Sequence, residues 1–446
     1  MDDLVQKVRN AGVVGAGGAG FPTYVKISTA AELLIANGAE CEPLLYKDQS
    51  VIQQFAEPLL GGMQLLMQHI GAKRGIIAIK EKHQASISHI APLLPDNIEL
   101  KLMPNVYPAG DEYELVYEVT GKRIPAGGLP KDIGILVQNV ETIANIHRAA
   151  EGKPVTHSMI TVHGEVETPF TAWLPIGMSY ADILTLAGTV TCDKPVIIDG
   201  GVMMGSVETD FSTPITAVSS ALLVLPDDAH VLSRRTESES AFRRIGKSAC
   251  DQCTLCTEMC PRYLLGYPIQ PHLVMRSLLT SGTVSETLSI NAQACSECNV
   301  CTLWACPEQL NPRDICVTTK RDLKTQGRWQ TADQLQAQTR PVHSMRDYRG
   351  VPSSRLTRRL GLANYDKRIA AWRNVSVVPA RVSIALQVRM GARAEPVVKV
   401  GDTVTAGAII ATVPADKLGV PVHASISGTV TAVADHIDIQ SNGNGA

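Results

Sequence analysis

Apolar positions along the chain change their period several times, and each change predicts a different architecture. Over residues 1–152, short apolar runs alternate with stretches of helical spacing. Residues 31–37 (AELLIAN), 75–80 (GIIAIK), 98–103 (IELKLM) and 133–138 (IGILVQ) read as strands. Residues 4–10, 83–94 and 111–120 read as helices. That alternation predicts an α/β domain, a mainly parallel sheet with helices outside it. Residues 153–228 change character: 159–166, 195–198 and 221–225 read as strands and 179–187 as one short helix. A small sheet holding a single helix, a β-grasp-like unit, is expected there. Residues 232–325 hold crowded cysteines with a helical stretch at 271–279. Residues 326–373 are polar and Arg-rich without a clear period, and read as a linker with helical patches. Residues 374–437 are rich in Val, Thr and Gly, with turn signals at Gly401-Asp402 and Ser427-Gly428, and predict a compact all-β module.

Composition narrows the classes. A chain of 446 residues suggests roughly three domains. Hydrophobic residues at 45% against 19% charged support packed interiors. A net charge of −2 argues against nucleic acid as the main partner. The local basic stretch at Arg355, Arg358 and Arg359 reads as a solvated linker face. The acidic start Met1-Asp2-Asp3 has no apolar region after it, and no apolar run reaches about 18 residues. A cytoplasmic protein without a membrane span is expected.

Eight of the 11 cysteines crowd into two groups, which points to metal rather than disulfides. The first is Cys250-x2-Cys253-x2-Cys256-x3-Cys260-Pro261, and the second Cys295-x2-Cys298-x2-Cys301-x4-Cys306-Pro307. Three cysteines at two-residue gaps let one tight loop wrap three corners of a [4Fe–4S] cubane, with the fourth thiolate coming from elsewhere. In two-cluster ferredoxins the cysteine before the proline serves the other cluster. Cys260 is therefore expected with Cys295, Cys298 and Cys301, and Cys306 with Cys250, Cys253 and Cys256. The second group carries one extra residue before its last cysteine. Structural zinc prefers separated CxxC pairs and fits this spacing poorly. Cys192 and Cys316, outside the groups, read as buried free thiols.

The run Gly15-Ala16-Gly17-Gly18-Ala19-Gly20 satisfies G-x-G-x-x-G, and Glu40 lies twenty residues on. A dinucleotide fingerprint must follow a strand and open a helix. Here a helical stretch precedes the run and Phe21-Pro22 follows it. What survives is a backbone without Cβ atoms, open to a flat ring or a phosphate.

Longer strings are more specific. GAGGAGFPTYVK (15–26), NGAECEP (37–43), GDEYEL (110–115) and VQNVET (137–142) resemble, in order, the flavin cradle of the NADH-oxidising flavoprotein subunit of respiratory complex I. Two cysteine groups and IPAGGLPKDIG (124–134) resemble instead the C subunit of Rnf-type oxidoreductases. In that subunit the Val/Gly-rich β module precedes the flavin domain. Here MGARAEPVVKVGDTV (390–404) and VHASISGTV (422–430) follow it. That permuted order resembles the cobalamin reductases of bacterial propanediol-utilisation microcompartments.

The resemblance implies a flavin-binding α/β domain, an SLBB-like β-grasp domain, a two-cluster ferredoxin-like domain and a barrel-sandwich module. It implies FMN and two [4Fe–4S] clusters as cofactors and NADH as donor. By position, Gly15, Gly17, Gly18 and Gly20 would line the FMN. Lys26 would place a cation near flavin oxygens or phosphate. Asn37 would bond the flavin, and Asn139 its phosphate side. Asp111 and Glu112 would face flavin and nicotinamide as the catalytic pair. Phe21 would stack on an incoming ring or sit in the core. Glu40 and Glu42 would line the cofactor or act as turn acids. Cys41 replaces a glycine of the complex I pattern and has no assigned role. His69, His83 and His163 are isolated, and His423 is a remote candidate for touching cobalt.

The implied activity is NADH-dependent reduction of cobalamin, cob(III)alamin to cob(II)alamin and cob(I)alamin, for coenzyme B12 recycling in 1,2-propanediol degradation. Implied partners are a corrinoid adenosyltransferase and microcompartment shell or Fe–S proteins, with the protein inside the microcompartment. The alternatives are an electron-relay subunit of an Rnf-type ion-translocating complex with a protein acceptor, or a cluster scaffold with a vestigial flavin site.

Overall fold

The structure, a computed structural model, describes residues 3–443. Its first unit is a four-stranded parallel sheet in the order Ile98–Met103, Arg74–Lys80, Leu33–Gly38, Ile135–Asn139. These are the four expected strands, their ends shifted by at most two residues. Two helices missing from the sequence reading, Ala56–Ile70 and Val140–Ala150, pack against each other on this sheet. The first contains Pro58, Gly61 and Gly62, residues of poor helix propensity that mask its period. Those glycines are there for close approach. A Cβ on Gly62 would lie 2.3 Å from the Ile143 carbonyl oxygen.

The second unit is a six-stranded mixed sheet in the order Ala371–Trp372, Phe170–Pro175, His157–Gly164, Ala221–Pro226, Pro195–Asp199, Ser206–Glu208. One short helix, Tyr180–Thr185, supplies Tyr180, Ile183 and Leu184 to its core. This is the expected small sheet with a single helix. Short helices, including Glu239–Ala249, Pro271–Ser277 and Pro312–Thr325, surround the cysteines. The last unit is all β, as expected. Arg381–Ala385, His436–Ser441, Gly428–Val433 and Thr403–Val404 form one antiparallel sheet, and Glu395–Pro396, Ile409–Thr412 and Val422–His423 a second.

The segment expected as a linker behaves otherwise. Val351–Pro352 pairs with Val106–Tyr107 of the first unit, and Ala371–Trp372 joins the second sheet. Between them the helix Ser353–Arg359 buries Leu356 and Thr357. Arg355, Arg358 and Arg359 stay exposed on its outer side. Its apolar positions are too few to produce a visible period, yet they bind the segment as a strap across two domains. Among the described residues no helix is long and apolar enough to cross a membrane.

Candidate functional site

The glycine run forms a closed loop before any ligand is considered. Gly15 N–H donates to the Phe21 carbonyl at 3.0 Å, and Gly20 N–H to the Gly15 carbonyl at 3.2 Å. Gly18 and Gly20 take φ of 100° and 68°, which L side chains rarely adopt. Nothing lies within 4 Å of where a Gly18 Cβ would stand. The tip, Ala16 to Ala19, forms one wall of a cavity of about 590 Å³, a size usual for a cofactor site.

The carboxyl edge of the parallel sheet supplies a second wall, where open α/β sheets commonly place ligands. Asn37 and Asn139 are register partners there. Both side chains are committed within the protein. Asn37 Nδ2 donates to the Gly110 carbonyl at 3.0 Å, and its Oδ1 accepts from Ala39 N–H at 3.1 Å. Asn139 Nδ2 donates to Asp48 Oδ1 at 2.9 Å, while Oδ1 caps the helix Val140–Ala150. Each therefore lines the cavity and fixes its wall.

The other candidates divide. Glu40 and Glu42 line the cavity, but as braces. Glu40 accepts from Glu42 N–H at 2.9 Å, and the Glu42 carboxylate accepts from Met203 and Met204 N–H at 2.8 and 3.0 Å. Burial pushes the Glu42 carboxyl up to about 8. Asp111 also lines the cavity. One of its oxygens caps the helix Glu112–Thr120, and the other meets Arg262 at 2.9 Å. Glu112 does not stand on the wall. It is the first residue of that helix, and its predecessor Asp111 is the N-cap with an extended backbone, so the two side chains leave the turn in different directions. Its partner is Lys26, at 3.3 Å and equally off the wall. Phe21, Gly15 and Gly20 shape the loop from behind without lining the cavity. The expected pair Asp111 and Glu112 is thus split.

Residues missed in the sequence complete the site. Lys47 forms a buried ion pair with Glu141 at 2.9 Å and donates to the carbonyls of Ala16 and Ser219 at 3.0 and 3.4 Å. It bolts the glycine loop to the second domain. Asp48, pushed up to about 8 first by burial and then by Glu40, stands beside it. Segments 199–206 and 216–220 and residues Gln387 to Arg389 form the remaining walls. Lys47 has no local motif that marks it; its role emerges only through three distant partners.

Cys298 also stands on the wall, which joins the cavity to the cysteine domain. Its carbonyl accepts from the buried Tyr107 hydroxyl at 2.7 Å. Cys250, Cys253, Cys256 and Cys306 line one small cavity. Cys260 lies beside Cys298 and Cys295 instead. The turn Leu255–Glu258 packs on the π-helical turn Val300–Ala305, which brings each triplet to the other group's last cysteine. The extra residue of the second group sits in that π turn, closed by Cys306 N–H on the Cys301 carbonyl at 3.1 Å.

Burial pushes the Cys256 and Cys298 thiols up to about 12. Thiols gathered in such a setting ionise only with a cation among them, and a metal cluster supplies one. Among the described residues no three His, Cys, Asp or Glu side chains converge at single-ion spacing. Cys250, Cys253, Cys256 and Cys306 stand round a small void instead. Cys41 lies on the flavin-side wall, its thiol held protonated by burial. Cys316 is buried beside Cys295, whereas Cys192 is only partly covered. His423 is buried in the β module, packed on Gly12.

The chain is 41% identical over 437 residues, 97% of its length and 95% of the relative's, to the cobalamin reductase PduS of Salmonella typhimurium. It belongs to that family. The Citrobacter freundii member is also 41% identical, over 96% of this chain and 94% of its own. Three family models match along the PduS-family chain: a Nuo51 FMN-binding domain at residues 8–148, a 4Fe-4S dicluster domain at 249–311, and an RnfC barrel sandwich hybrid domain at 365–445. The chain therefore has a flavin-binding and an iron–sulfur domain; the glycine loop and sheet edge of the cavity fall within the first and the two thiol groups within the second. Among solved structures, an NAD+-reducing [NiFe]-hydrogenase in its H2-reduced state is similar at 21% identity and a TM-score of 0.46. That match covers 76% of this chain and 63% of the hydrogenase chain.

Proposed function

We propose that this protein oxidises NADH at the cavity and delivers single electrons to cobalamin, taking cob(III)alamin to cob(II)alamin and cob(I)alamin for coenzyme B12 recycling. The observation that carries this reading is Cys298 on the wall of the cavity formed by the glycine loop. Bound FMN supplies the exchange between two-electron and one-electron chemistry that a nicotinamide donor and iron–sulfur clusters require. Gly17 and Gly18 offer it bare backbone, and Lys47 and Asn139 hold the walls that orient it. Cys260, Cys295, Cys298 and Cys301 would hold the cluster next to the cavity. Cys250, Cys253, Cys256 and Cys306 would hold the outer cluster, whose Cys253 is exposed toward an acceptor. Asp111 and Arg262 position the Cys260 end against the flavin domain. Glu112, paired with Lys26 outside the cavity, serves the loop rather than the reaction. The domain limits are best drawn as 1–152, 153–228, 232–325 and 374–443, with 326–373 as a strap.

Following the motif resemblance, the reading extends to work in 1,2-propanediol degradation within a bacterial microcompartment, with a corrinoid adenosyltransferase as partner. The test is anaerobic. NADH, the protein and cob(III)alamin are mixed and the corrin spectrum is followed. Cob(II)alamin is expected, and adenosylcobalamin once adenosyltransferase and ATP are present. Rapid dye reduction with an unchanged corrin, even with the partner, would replace this reading by the relay subunit.

A further inference from the structure

The C-terminal β module reaches the cavity from 371 residues away. The loop after Arg381–Ala385 carries Gln387, Val388 and Arg389 onto its wall. The module is seated there by Ser383 N–H on the Gly177 carbonyl at 2.8 Å and by the Ser425 hydroxyl on the Ile176 carbonyl at 2.6 Å. Gly20 leaves room for it, since a Cβ there would meet Val388 Cγ1 at 3.2 Å. Arg389 Nη1 then donates to the Gly18 carbonyl at 3.1 Å, over the tip of the glycine loop.

Six carboxyl groups line the cavity, those of Glu40, Glu42, Asp48, Asp111, Asp199 and Glu208, with burial holding Glu42, Asp48 and Asp199 toward the neutral form; two cations stand among them, Lys47 and Arg389. A lysine ammonium has three donors. Those of Lys47 go to Glu141, Ala16 and Ser219. A guanidinium has five donors in a planar fork. Among the described residues, Arg389 makes one hydrogen bond and no ion pair with them. An anionic ligand entering this cavity therefore meets one cation with donors to spare, and it stands where the backbone is bare.

We infer that Arg389 is the phosphate clamp of the cavity. Its fork binds the phosphate ester of a ligand laid over Gly17 and Gly18, in the bidentate geometry that guanidinium and phosphate favour. The inference rests on the cavity being the flavin and nicotinamide site. Two ligands there carry such a group, the flavin mononucleotide and the nicotinamide dinucleotide. The module would thus belong to the binding site as well as to the fold.

The test uses full-length, cluster-loaded protein stripped of flavin, as wild type, Arg389→Ala and Arg389→Lys. Binding of FMN and riboflavin is read from flavin fluorescence, and binding of ADP-ribose from calorimetry. The side chain is exposed, so all three proteins are expected to melt alike. Arg389→Ala should weaken a phosphate-bearing ligand roughly ten- to hundredfold and leave riboflavin unchanged. Arg389→Lys should recover part of the loss, with a steeper dependence on salt. A loss confined to FMN assigns the clamp to the flavin phosphate, and one confined to ADP-ribose assigns it to the dinucleotide. Wild-type affinity of Arg389→Ala for both overturns the clamp alone. Wild-type protein that binds neither overturns the cavity reading and the clamp together.

Discussion

The two cysteine loops share a backbone and differ in their surroundings. In each, the residues flanking the middle cysteine take left-handed φ, 60° and 70° at Gln252 and Thr254, 63° and 68° at Glu297 and Asn299. Such residues are uncommon outside glycine, and four in matching places indicate one local design that turns three thiols to a common centre. Around the first loop the partners are local. Cys253 N–H meets Asp251 at 3.3 Å, and Thr254 meets Glu258 at 3.0 Å. Around the second they are distant. Asn299 Nδ2 donates to the Met203 carbonyl at 2.9 Å, and Cys298 is held by Tyr107. Cys253 is exposed, and Cys298 and Cys301 are buried. Spacing reports what a loop can hold; the surroundings decide which neighbour receives its electrons.

The sharpest way to break this comparison is to remove one cluster at a time. Cys298→Ala and Cys253→Ala should each lower iron from about eight to about four atoms per chain. Both should abolish corrin reduction. NADH should still reduce the remaining cluster in Cys253→Ala and fail to do so in Cys298→Ala, followed by electron paramagnetic resonance. The reverse pattern would invert the order of the loops. A finer cut tests the exchange of fourth ligands. Cys306→Ala should damage the cluster of Cys250, Cys253 and Cys256, and Cys260→Ala that of Cys295, Cys298 and Cys301. Damage within each own group would remove the exchange.

A smaller effect is expected from the π turn. Deleting Ala305 would restore the shorter spacing of the first group but shift Cys306 against its cavity. A loss of about 1–3 kcal/mol of stability in denaturant unfolding is expected. An unchanged midpoint would make the turn a neutral insertion.

The smallest effect concerns the wall against which the inner loop stands. Glu42 titrates at about 8 in the folded protein against 4.5 ordinarily, because burial disfavours its charge. Between those values the folded protein binds more protons than the unfolded chain, so stability falls as pH rises through this window and levels off above it. Asp48, shifted in the same direction, adds to the slope. Urea unfolding of flavin-free protein at pH 5, 6.5 and 8 should show the decline, and Glu42→Gln should reduce it. A slope untouched by Glu42→Gln would assign the decline elsewhere.

Chemistry that lies within one short stretch of chain was legible in advance. The cysteine triplets, the glycine loop and the parallel strands each depend on residues a few positions apart. The unread parts depend on encounters between distant segments. The helix Ala56–Ile70 hides behind Gly61 and Gly62, whose purpose is visible only beside Ile143 and His147. The strap looks like a linker because its strands are two residues long and borrow their partners from elsewhere. That Glu112 stands off the cavity wall while Asp111 stands on it was not visible in the motif, which shows adjacency in sequence, whereas a helix start sends neighbouring side chains in different directions. Lys47 and Arg389 were invisible for the same reason as the strap.

The span from Gly18 to Arg389 also sets a schedule. At a synthesis rate of about 5–20 residues per second, the loop waits on the order of 20–70 s before its last wall leaves the ribosome. Throughout that interval the nascent cavity stands open on one side. A cofactor that needs all its walls is therefore captured only after that last wall has emerged.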